Sequence, residues 1–329
     1  MKENNAGSIL VTPRSFRRIE GTHWDKLRNS PYEVINSPHK EELMTEEEMK
    51  DYVTSKDIKG IIVGLDPLTE EVFDSANSLK VVSKYGTGLD NIDLEAAKRN
   101  GVTVTFTPGT NTQSVADLAF GLLLGAARWI PQHDRWLKEE RLTRNQGQEI
   151  WKKKLGIVGL GQIGTAVAKR AQGFNMETFY YDLKRRELQE TALDINYLGF
   201  NSLLADCDYI SLHCPLTEST RGLIGAPELQ RMKDSSILIN TSRTGLIDKE
   251  ALLESLKSGE IYGAAVDTFE SQEELSSELL KQENFIGSPH AGASTEESVL
   301  RMADMATEEV LNVLDGKKPT HLVPALSEN

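Results

Sequence analysis

Val158-Gly159-Leu160-Gly161-Gln162-Ile163-Gly164 decides the fold of this 329-residue chain. Its last six residues fit G-x-G-x-x-G, a pattern that alone often arises by chance and gains weight only from its surroundings. An apolar strand, Leu155–Val158, precedes it. A helical stretch with Ala166, Val167, Ala168 and Ala171 follows, and Gly173 offers a C-terminal stop. The next β-rich run, Thr178–Tyr181, ends at Asp182. Strand, glycine turn, helix, strand and terminal carboxylate make up a dinucleotide-binding unit. Gly159 permits the tight turn, Gly161 lets backbone approach a pyrophosphate, and Gly164 lets helix and strand pack closely. The helix N-terminus presents unpaired N–H groups and a partial positive charge to the phosphates. Asp182 can accept hydrogen bonds from the adenosine ribose hydroxyls and would repel a 2′-phosphate, so NAD is expected over NADP. The basic run Lys184-Arg185-Arg186 just behind it tempers that preference.

Outward from this unit the chain alternates short β-rich runs with helical patterns, which predicts parallel sheets covered by helices. Upstream, strands are expected near Ser8–Val11, Tyr32–Ile35, Gly60–Val63, Val81–Ser83 and Val102–Val104, with helices at Thr45–Tyr52 and Leu94–Asn100. Thr45 followed by Glu48 is a capping-box pattern. A longer helix, Ser114–Trp129, is expected to stop near Pro131 and to give way to a polar, charged segment, Gln132–Glu149. Downstream, strands are expected near Tyr209–His213, Ile237–Asn240, Tyr262–Val266 and Phe285–Gly287, and a helix from Thr295 to Leu314 closes the pattern. The fold class is therefore α/β, with two doubly wound parallel-sheet units.

The bulk composition narrows the function. A formal net charge of −13 argues against nucleic acid and anionic membranes as partners, since both call for a basic footprint. The most apolar segment, Val115–Ala127, is shorter than the ~20 residues of a membrane span and contains Asp117, so a buried helix is expected. The polar Met1–Ser8 carries no signal-peptide core. Two cysteines, Cys207 and Cys214, are too few for a disulfide framework and suit a reducing, cytoplasmic setting. No metal site is expected.

Open parallel sheets bind ligands beyond the carboxyl ends of their strands, so the residues there are the candidates for chemistry. Lys84-Tyr85-Gly86-Thr87-Gly88 follows Val81–Ser83, and Thr241-Ser242-Arg243 follows Ile237–Asn240. Asp267 follows Tyr262–Val266, and Ser288-Pro289-His290 follows Phe285–Gly287. Taken singly, an arginine after a strand is commonly a surface residue and a histidine a structural one. Their joint placement suits hydride transfer to a keto acid. A substrate carboxylate calls for backbone N–H donors, as Gly86–Gly88 can offer, or an arginine such as Arg243. Carbonyl reduction calls for a proton, and a histidine titrates near working pH. His213, at a strand end before Pro215, reads as structural or cofactor-adjacent.

These stretches resemble the D-isomer-specific 2-hydroxyacid dehydrogenases, the family that includes phosphoglycerate dehydrogenase. The resemblance spans nearly the whole chain. It is most specific at YGTGLDNIDLEAAKRNGV (Tyr85–Val102), TPGTNTQSVADLAFGLLL (Thr107–Leu124), VGLGQIG (Val158–Gly164), INTSRTGLIDKEAL (Ile239–Leu252), GAAVDTFE (Gly263–Glu270) and SPHAGAST (Ser288–Thr295). It implies a discontinuous flavodoxin-like substrate domain, residues 1–105 with 295–329, into which a Rossmann NAD-binding domain, 106–294, is inserted. It also implies a homodimer formed through the NAD-binding domain. Arg243 would bind and polarise the substrate, His290 would act as acid/base, and Tyr85 to Gly88 would hold the carboxylate. Asp267 would face the nicotinamide carboxamide with Gly292 nearby. Gln162, Ile163, His213, Cys214, Pro215, Thr220 and Thr241 would line the cofactor.

Two departures stand out. The family usually places a glutamate, paired with the catalytic histidine, where this chain has Gln272. A glutamine can orient the ring but cannot stabilise its charge, so either Glu273 takes the role or His290 works with a lower pKa. A glutamine–histidine pair also resembles formate dehydrogenase, a relative that this chain otherwise matches less well. Secondly, phosphoglycerate dehydrogenases tend to carry an arginine just after the strand at Gly60–Val63, where this chain reads Gly64-Leu65-Asp66-Pro67. Arg14 could supply a phosphate ligand instead, or be a solvated loop residue. The expected activity is interconversion of a D-2-hydroxy acid and its 2-keto acid. The alternatives are phosphoglycerate oxidation specifically, or an NAD(H)-sensing corepressor-like protein without turnover.

Overall fold

The computed structural model describes residues 6–269 and 278–324. The chain divides into two compact units, Met1–Asn111 with Ser294–Asn329, and Thr112–Ala293. The junction is set by hydrogen bonding. Phe106 donates its N–H to His321 O at 3.1 Å, Thr107 to Gly86 O at 3.0 Å, and the Arg301 guanidinium to Thr110 O at 2.8 Å. Residues 106–111 are thus stitched to the first unit, a little beyond the boundary expected at 105.

The first unit holds five strands, β1 (Ser8–Val11), β2 (Glu33–Asn36), β3 (Ile58–Val63), β4 (Val81–Lys84) and β5 (Thr103–Thr105), in the order β2-β1-β3-β4-β5. All pairs are parallel, which is the flavodoxin-like order. β1 and β4 are buried along their whole length, as expected of strands covered by helices on both faces. The capping box forms at the helix Glu46–Ser55: Glu48 N–H donates to Thr45 Oγ1 at 3.2 Å and Thr45 N–H to Glu48 Oε2 at 2.8 Å. The closing helix, Glu296–Leu314, returns to this unit and lies against β3 and β4. There Val310 comes so near Gly60 that a Cβ on that glycine would sit 2.7 Å from Val310 Cγ2.

The second unit holds seven strands: β6 (Lys154–Val158), β7 (Glu177–Tyr181), β8 (Asn196–Tyr197), β9 (Tyr209–Leu212), β10 (Ile237–Asn240), β11 (Gly263–Val266) and β12 (Phe285–Gly287). Their order is β12-β11-β10-β9-β6-β7-β8, again all parallel. The chain steps outward from β6 to β8, then restarts on the other side of β6 at β9. That reversal is the Rossmann switch point. The apolar segment singled out in the sequence lies in the helix Thr112–Arg128, whose Ala116, Ala119, Leu123 and Ala127 are buried in the core.

One expectation needs correction. The long helix does end at Arg128, but Pro131 does not open a structureless segment. Trp129 turns the chain in the left-handed region at φ 57°, and a second helix, Ile130–Lys138, begins with proline in its first turn. Proline there forfeits only an N–H that has no helical partner, and its fixed φ suits the helix start. A proline after a helical pattern can therefore begin the next helix as readily as end the last.

Candidate active site

Because the seven strands are parallel, their carboxyl ends share one edge. Read along the sheet order, that edge carries His290 after β12, Asp267 after β11, Thr241–Arg243 after β10, His213–Pro215 after β9, the glycine turn after β6 and Asp182 after β7. The turn sits at the switch point. Gly159 is left-handed at φ +93°, and a Cβ there would lie 2.8 Å from Cys214 N. The β9 loop thus packs directly on the turn, which only glycine allows. A Cβ on Gly164 would fall 2.2 Å from Gly159 O, so glycine is required there for the helix Gln162–Gly173 to approach its strand. Gly161 differs, since a Cβ there would meet nothing within 4 Å. It caps that helix without a side-chain hydrogen bond, leaving open space over the first N–H groups. A cradle of this kind fits a dinucleotide pyrophosphate. The side chain of Gln162 accepts from Thr112 Oγ1 at 3.3 Å, and Ile163 is half-buried against the core.

Asp182 is anchored to the turn. Its Oδ2 accepts Leu160 N–H at 3.0 Å and its Oδ1 accepts Lys184 N–H at 3.3 Å, while Arg186 Nε lies 3.5 Å from Oδ2. On the β9 loop, His213 Nε2 pairs with Ser211 Oγ at 2.8 Å and its buried Nδ1 has no partner. Burial drives its pKa down to about 4, so the ring is neutral at pH 7. Burial also raises the Cys214 thiol to about 11, which makes it unreactive. Thr220 Oγ1 is spent within its own turn, donating to Pro215 O at 2.8 Å and accepting Thr217 N–H at 2.7 Å. Thr241 Oγ1 is buried and has no partner. Two orphaned polar atoms, on His213 and Thr241, lie on loops flanking one another, as expected where a polar ligand completes the hydrogen bonding.

The Arg243 loop is fixed from within. Asn240 Nδ2 donates to Arg243 O at 2.8 Å, Ser242 N–H donates to Asn240 Oδ1 at 2.9 Å, and Ser242 Oγ donates to Leu212 O at 2.9 Å. The neighbouring loop after β12 is held by Asp267, which is 1% exposed. Its two oxygens accept Ala291 N–H and Gly292 N–H, each at 2.8 Å. His290 stands just before them in the left-handed region at φ 53°, uncommon for a residue with a Cβ. Gly292 is required as glycine, because a Cβ would lie 3.0 Å from Asp267 Oδ2 and 3.2 Å from Val115 Cγ2. Asp267 thereby organises the histidine loop, a part that sequence reasoning missed. Gln272 and Glu273 lie outside the described residues.

In the first unit, the loop after β4 is built on Gly86, at φ 126°, which Thr107 clamps: Gly86 N–H donates to Thr107 Oγ1 at 2.8 Å. Thr87 is exposed, and Gly86 and Gly88 are half-buried. The Tyr85 phenol turns inward, paired with Ser15 Oγ at 3.0 Å and pushed up to about 12 by burial. From Tyr85, only the backbone is left for a ligand. Lys84 and Asn91, to which the sequence assigned no role of their own, lace the strand ends. Lys84 Nζ donates to Gly64 O and, at 2.7 Å, to Asn91 Oδ1, while Asn91 Nδ2 donates to Asp66 O at 2.6 Å. Arg14 donates to Glu41 O, and Arg17 donates to Ser37 O and His39 O.

Comparison with known proteins bears on these loops. The sequence model described as D-isomer specific 2-hydroxyacid dehydrogenase, NAD binding domain, matches residues 120–292. The chain is 43% identical to a glyoxylate reductase of Korarchaeum cryptofilum over 78% of its own length and 80% of the relative's. It is 38% identical to a hydroxypyruvate reductase of Thermotoga maritima, covering 85% and 97%. A crystal structure of a Thermus thermophilus protein, 34% identical, superposes with a TM-score of 0.86 over 96% of this chain and 99% of the other.

Proposed function

The chain belongs to the D-isomer specific 2-hydroxyacid dehydrogenase family and is an NAD-dependent oxidoreductase; from that premise we propose that it reduces a small, unphosphorylated 2-keto acid to the D-2-hydroxy acid, with Arg243 and His290 as its catalytic residues. The bound nicotinamide supplies the hydride. Arg243 binds the substrate and polarises its carbonyl, and a fork of N–H donors suits both a carboxylate and a developing alkoxide. The backbone N–H groups of Gly86–Gly88 take the carboxylate. His290 gives its proton to the carbonyl oxygen and recovers one from water. In the reverse direction it accepts the hydroxyl proton.

One observation carries this reading. The Asp267 carboxylate pins both N–H groups that follow His290 and holds that residue in a sparsely populated backbone conformation. Strain of this kind persists where the surroundings over-determine it, most often at functional sites. An unphosphorylated substrate is favoured because the arginines after β1 are engaged: Arg14 with Glu41, and Arg17 with Ser37 O and His39 O. The glyoxylate and hydroxypyruvate of the relatives' names are the first candidates. We also assign the protein to a reducing, cytoplasmic compartment, since both cysteines are free thiols. A homodimer through the second unit accounts for its exposed Ile130, Leu137, Leu142 and Trp151.

The test is a panel of glyoxylate, hydroxypyruvate, pyruvate and phosphohydroxypyruvate with NADH, read as loss of nicotinamide absorbance. Turnover of glyoxylate or hydroxypyruvate is expected. His290→Ala should lower kcat by about a hundred- to ten-thousand-fold while the NADH dissociation constant holds. Tight NADH binding with no turnover of any acid would instead establish a sensor, and preference for phosphohydroxypyruvate would overturn the unphosphorylated substrate.

A further inference from the structure

Residues that follow the closing helix cover the edge of the first unit's sheet. β5 is the last strand in the order, with β4 on one side of it. A strap, residues 321–323, lies along the other side in the antiparallel sense. Thr105 and Leu322 form a bridge, Phe106 N–H donates to His321 O at 3.1 Å, and Val323 N–H donates to Val104 O at 3.0 Å. Val323 is buried with Val82, Val102 and Val104 in the core. Covering a bare edge is use enough for such a strap. It does not account for how the strap is held. Glu309, in the closing helix, is 2% exposed, and both its carboxylate oxygens are taken up by the strap. His321 Nδ1–H donates to Oε1 at 2.8 Å, and Thr320 N–H donates to Oε2 at 3.1 Å. Burying a carboxylate is costly, and apolar contacts such as those of Val323 could anchor a strap without one. What the carboxylate adds is register. A slip of one residue would take His321 off Glu309 and leave a buried charge without its partner.

That register is passed on to the loop after β4. His321 O holds Phe106 N–H, and the next residue, Thr107, is fully buried and grips Gly86 from two directions. Thr107 N–H donates to Gly86 O at 3.0 Å, and Thr107 Oγ1 accepts Gly86 N–H at 2.8 Å. Gly86, at φ 126°, opens the loop assigned above to the substrate carboxylate. We propose that Glu309 and His321 are positioning residues for the substrate. They clasp the strap to the closing helix and, through Phe106 and Thr107, set where the Gly86–Gly88 loop receives the carboxylate. The inference rests on the carboxylate-binding reading of that loop. Neither residue acts on the substrate directly. The carboxylate is not the reacting centre, so its alignment contributes alike to the ground and transition states. A loosened clasp therefore raises KM and spares kcat.

Two measurements on the full chain test this, and the first needs no substrate. His321→Ala should speed amide hydrogen exchange about tenfold in a peptide spanning residues 85–89, while peptides of β1 and β3 keep their protection. His321→Asn, whose amide N–H can stand in for the imidazole Nδ1–H, should restore the slow exchange. The second measurement is steady-state reduction of glyoxylate at saturating NADH. His321→Ala should raise KM about tenfold, with kcat and the NADH dissociation constant within about twofold of wild type. His321→Asn should return KM close to the wild-type value, and Glu309→Gln, which keeps the side chain's shape, should give the same split to a smaller degree. Thr107→Val removes the grip on Gly86 itself. It should raise KM at least as far, and adding His321→Ala to it should change little more, since the two act in series. The clasp is overturned if His321→Ala leaves exchange at 85–89 unchanged or speeds it throughout the first unit. It is also overturned if kcat falls at unchanged KM, the mark of fewer folded molecules. Failure of the carboxylate reading looks different: His321→Ala and Thr107→Val would both loosen the 85–89 peptide, yet neither would move KM.

Discussion

At the residue scale, the glycine turn meets two separate demands, and its geometry gives each a measurable signature. Gly164 serves packing, because a Cβ would sit 2.2 Å from Gly159 O, which is backbone and cannot swing away. Gly161 serves access, because the same atom there would meet nothing within 4 Å. Gly164→Ala should therefore destabilise the second unit by about 1–3 kcal/mol, the usual cost of overpacking, and weaken NADH as a consequence. Gly161→Ala should leave the unfolding midpoint nearly unchanged and still weaken NADH at least tenfold. Urea unfolding and NADH titration of both variants measure this. Equal loss of stability in the two would show that the open space over Gly161 is not where the phosphates lie. The types and positions of these glycines were legible in the sequence. Which of them serves fold and which serves ligand was legible from the motif as well; the packing of Cys214 on Gly159 was not, since it is brought about by the β6–β9 pairing. Asp267 was legible as a carboxylate at a strand end. Its hold on Ala291 and Gly292 was not, because the contact spans 24 and 25 residues.

At the element scale, the strands were the most legible features, and for a physical reason. Buried parallel strands are short apolar runs with both faces covered, so β1 and β10 match the expected bounds residue for residue; the edge strand β12 does too, though only Phe285 of it is buried. The elements that escaped are those stabilised by context rather than pattern. β8 has two residues and exists because Leu198 N–H reaches Tyr180 O at 2.9 Å. The helix Arg14–Arg18 has five residues and one buried side chain, Phe16, too few for a periodicity to declare itself. The helix Ile130–Lys138 was hidden by a proline whose role reversed from stop to start once Trp129 took a left-handed turn. Loops at the carboxyl edge obey the same logic. Their candidate residues are the ones immediately C-terminal to each strand, which the sequence alone locates. The lacing of Lys84 to Gly64 O and of Asn91 to Asp66 O required the β3–β4 pairing to be known.

At the scale of the whole molecule, two properties are set by the second unit. Ile130, Leu137, Leu142 and Trp151 are between 55% and 84% exposed, an apolar display that a partner copy would cover. Sedimentation velocity at micromolar chain should give a dimer, and Leu142→Glu should shift it toward monomer; a wild-type monomer would remove the assembly proposal. The second property is acid sensitivity, and it originates at His213. Burial holds its folded pKa at about 4, against about 6.5 for an unperturbed histidine. The unfolded chain therefore binds the proton more readily than the folded one between those values. Stability rises with pH wherever the unfolded state holds more protons, so this residue's penalty is absent well above pH 6.5, grows as pH falls through that value and is complete below about pH 4. Between pH 7 and pH 5 the linkage amounts to about 2 kcal/mol. Three of the four tryptophans, Trp129, Trp136 and Trp151, belong to the second unit, so their fluorescence tracks its unfolding in urea. Wild type should lose about 2 kcal/mol more than His213→Asn over that interval, because the asparagine retains a polar side chain but cannot take up a proton. Parallel losses in the two proteins would place the acid sensitivity elsewhere and show that the His213 ring is solvated well enough to titrate normally in the fold.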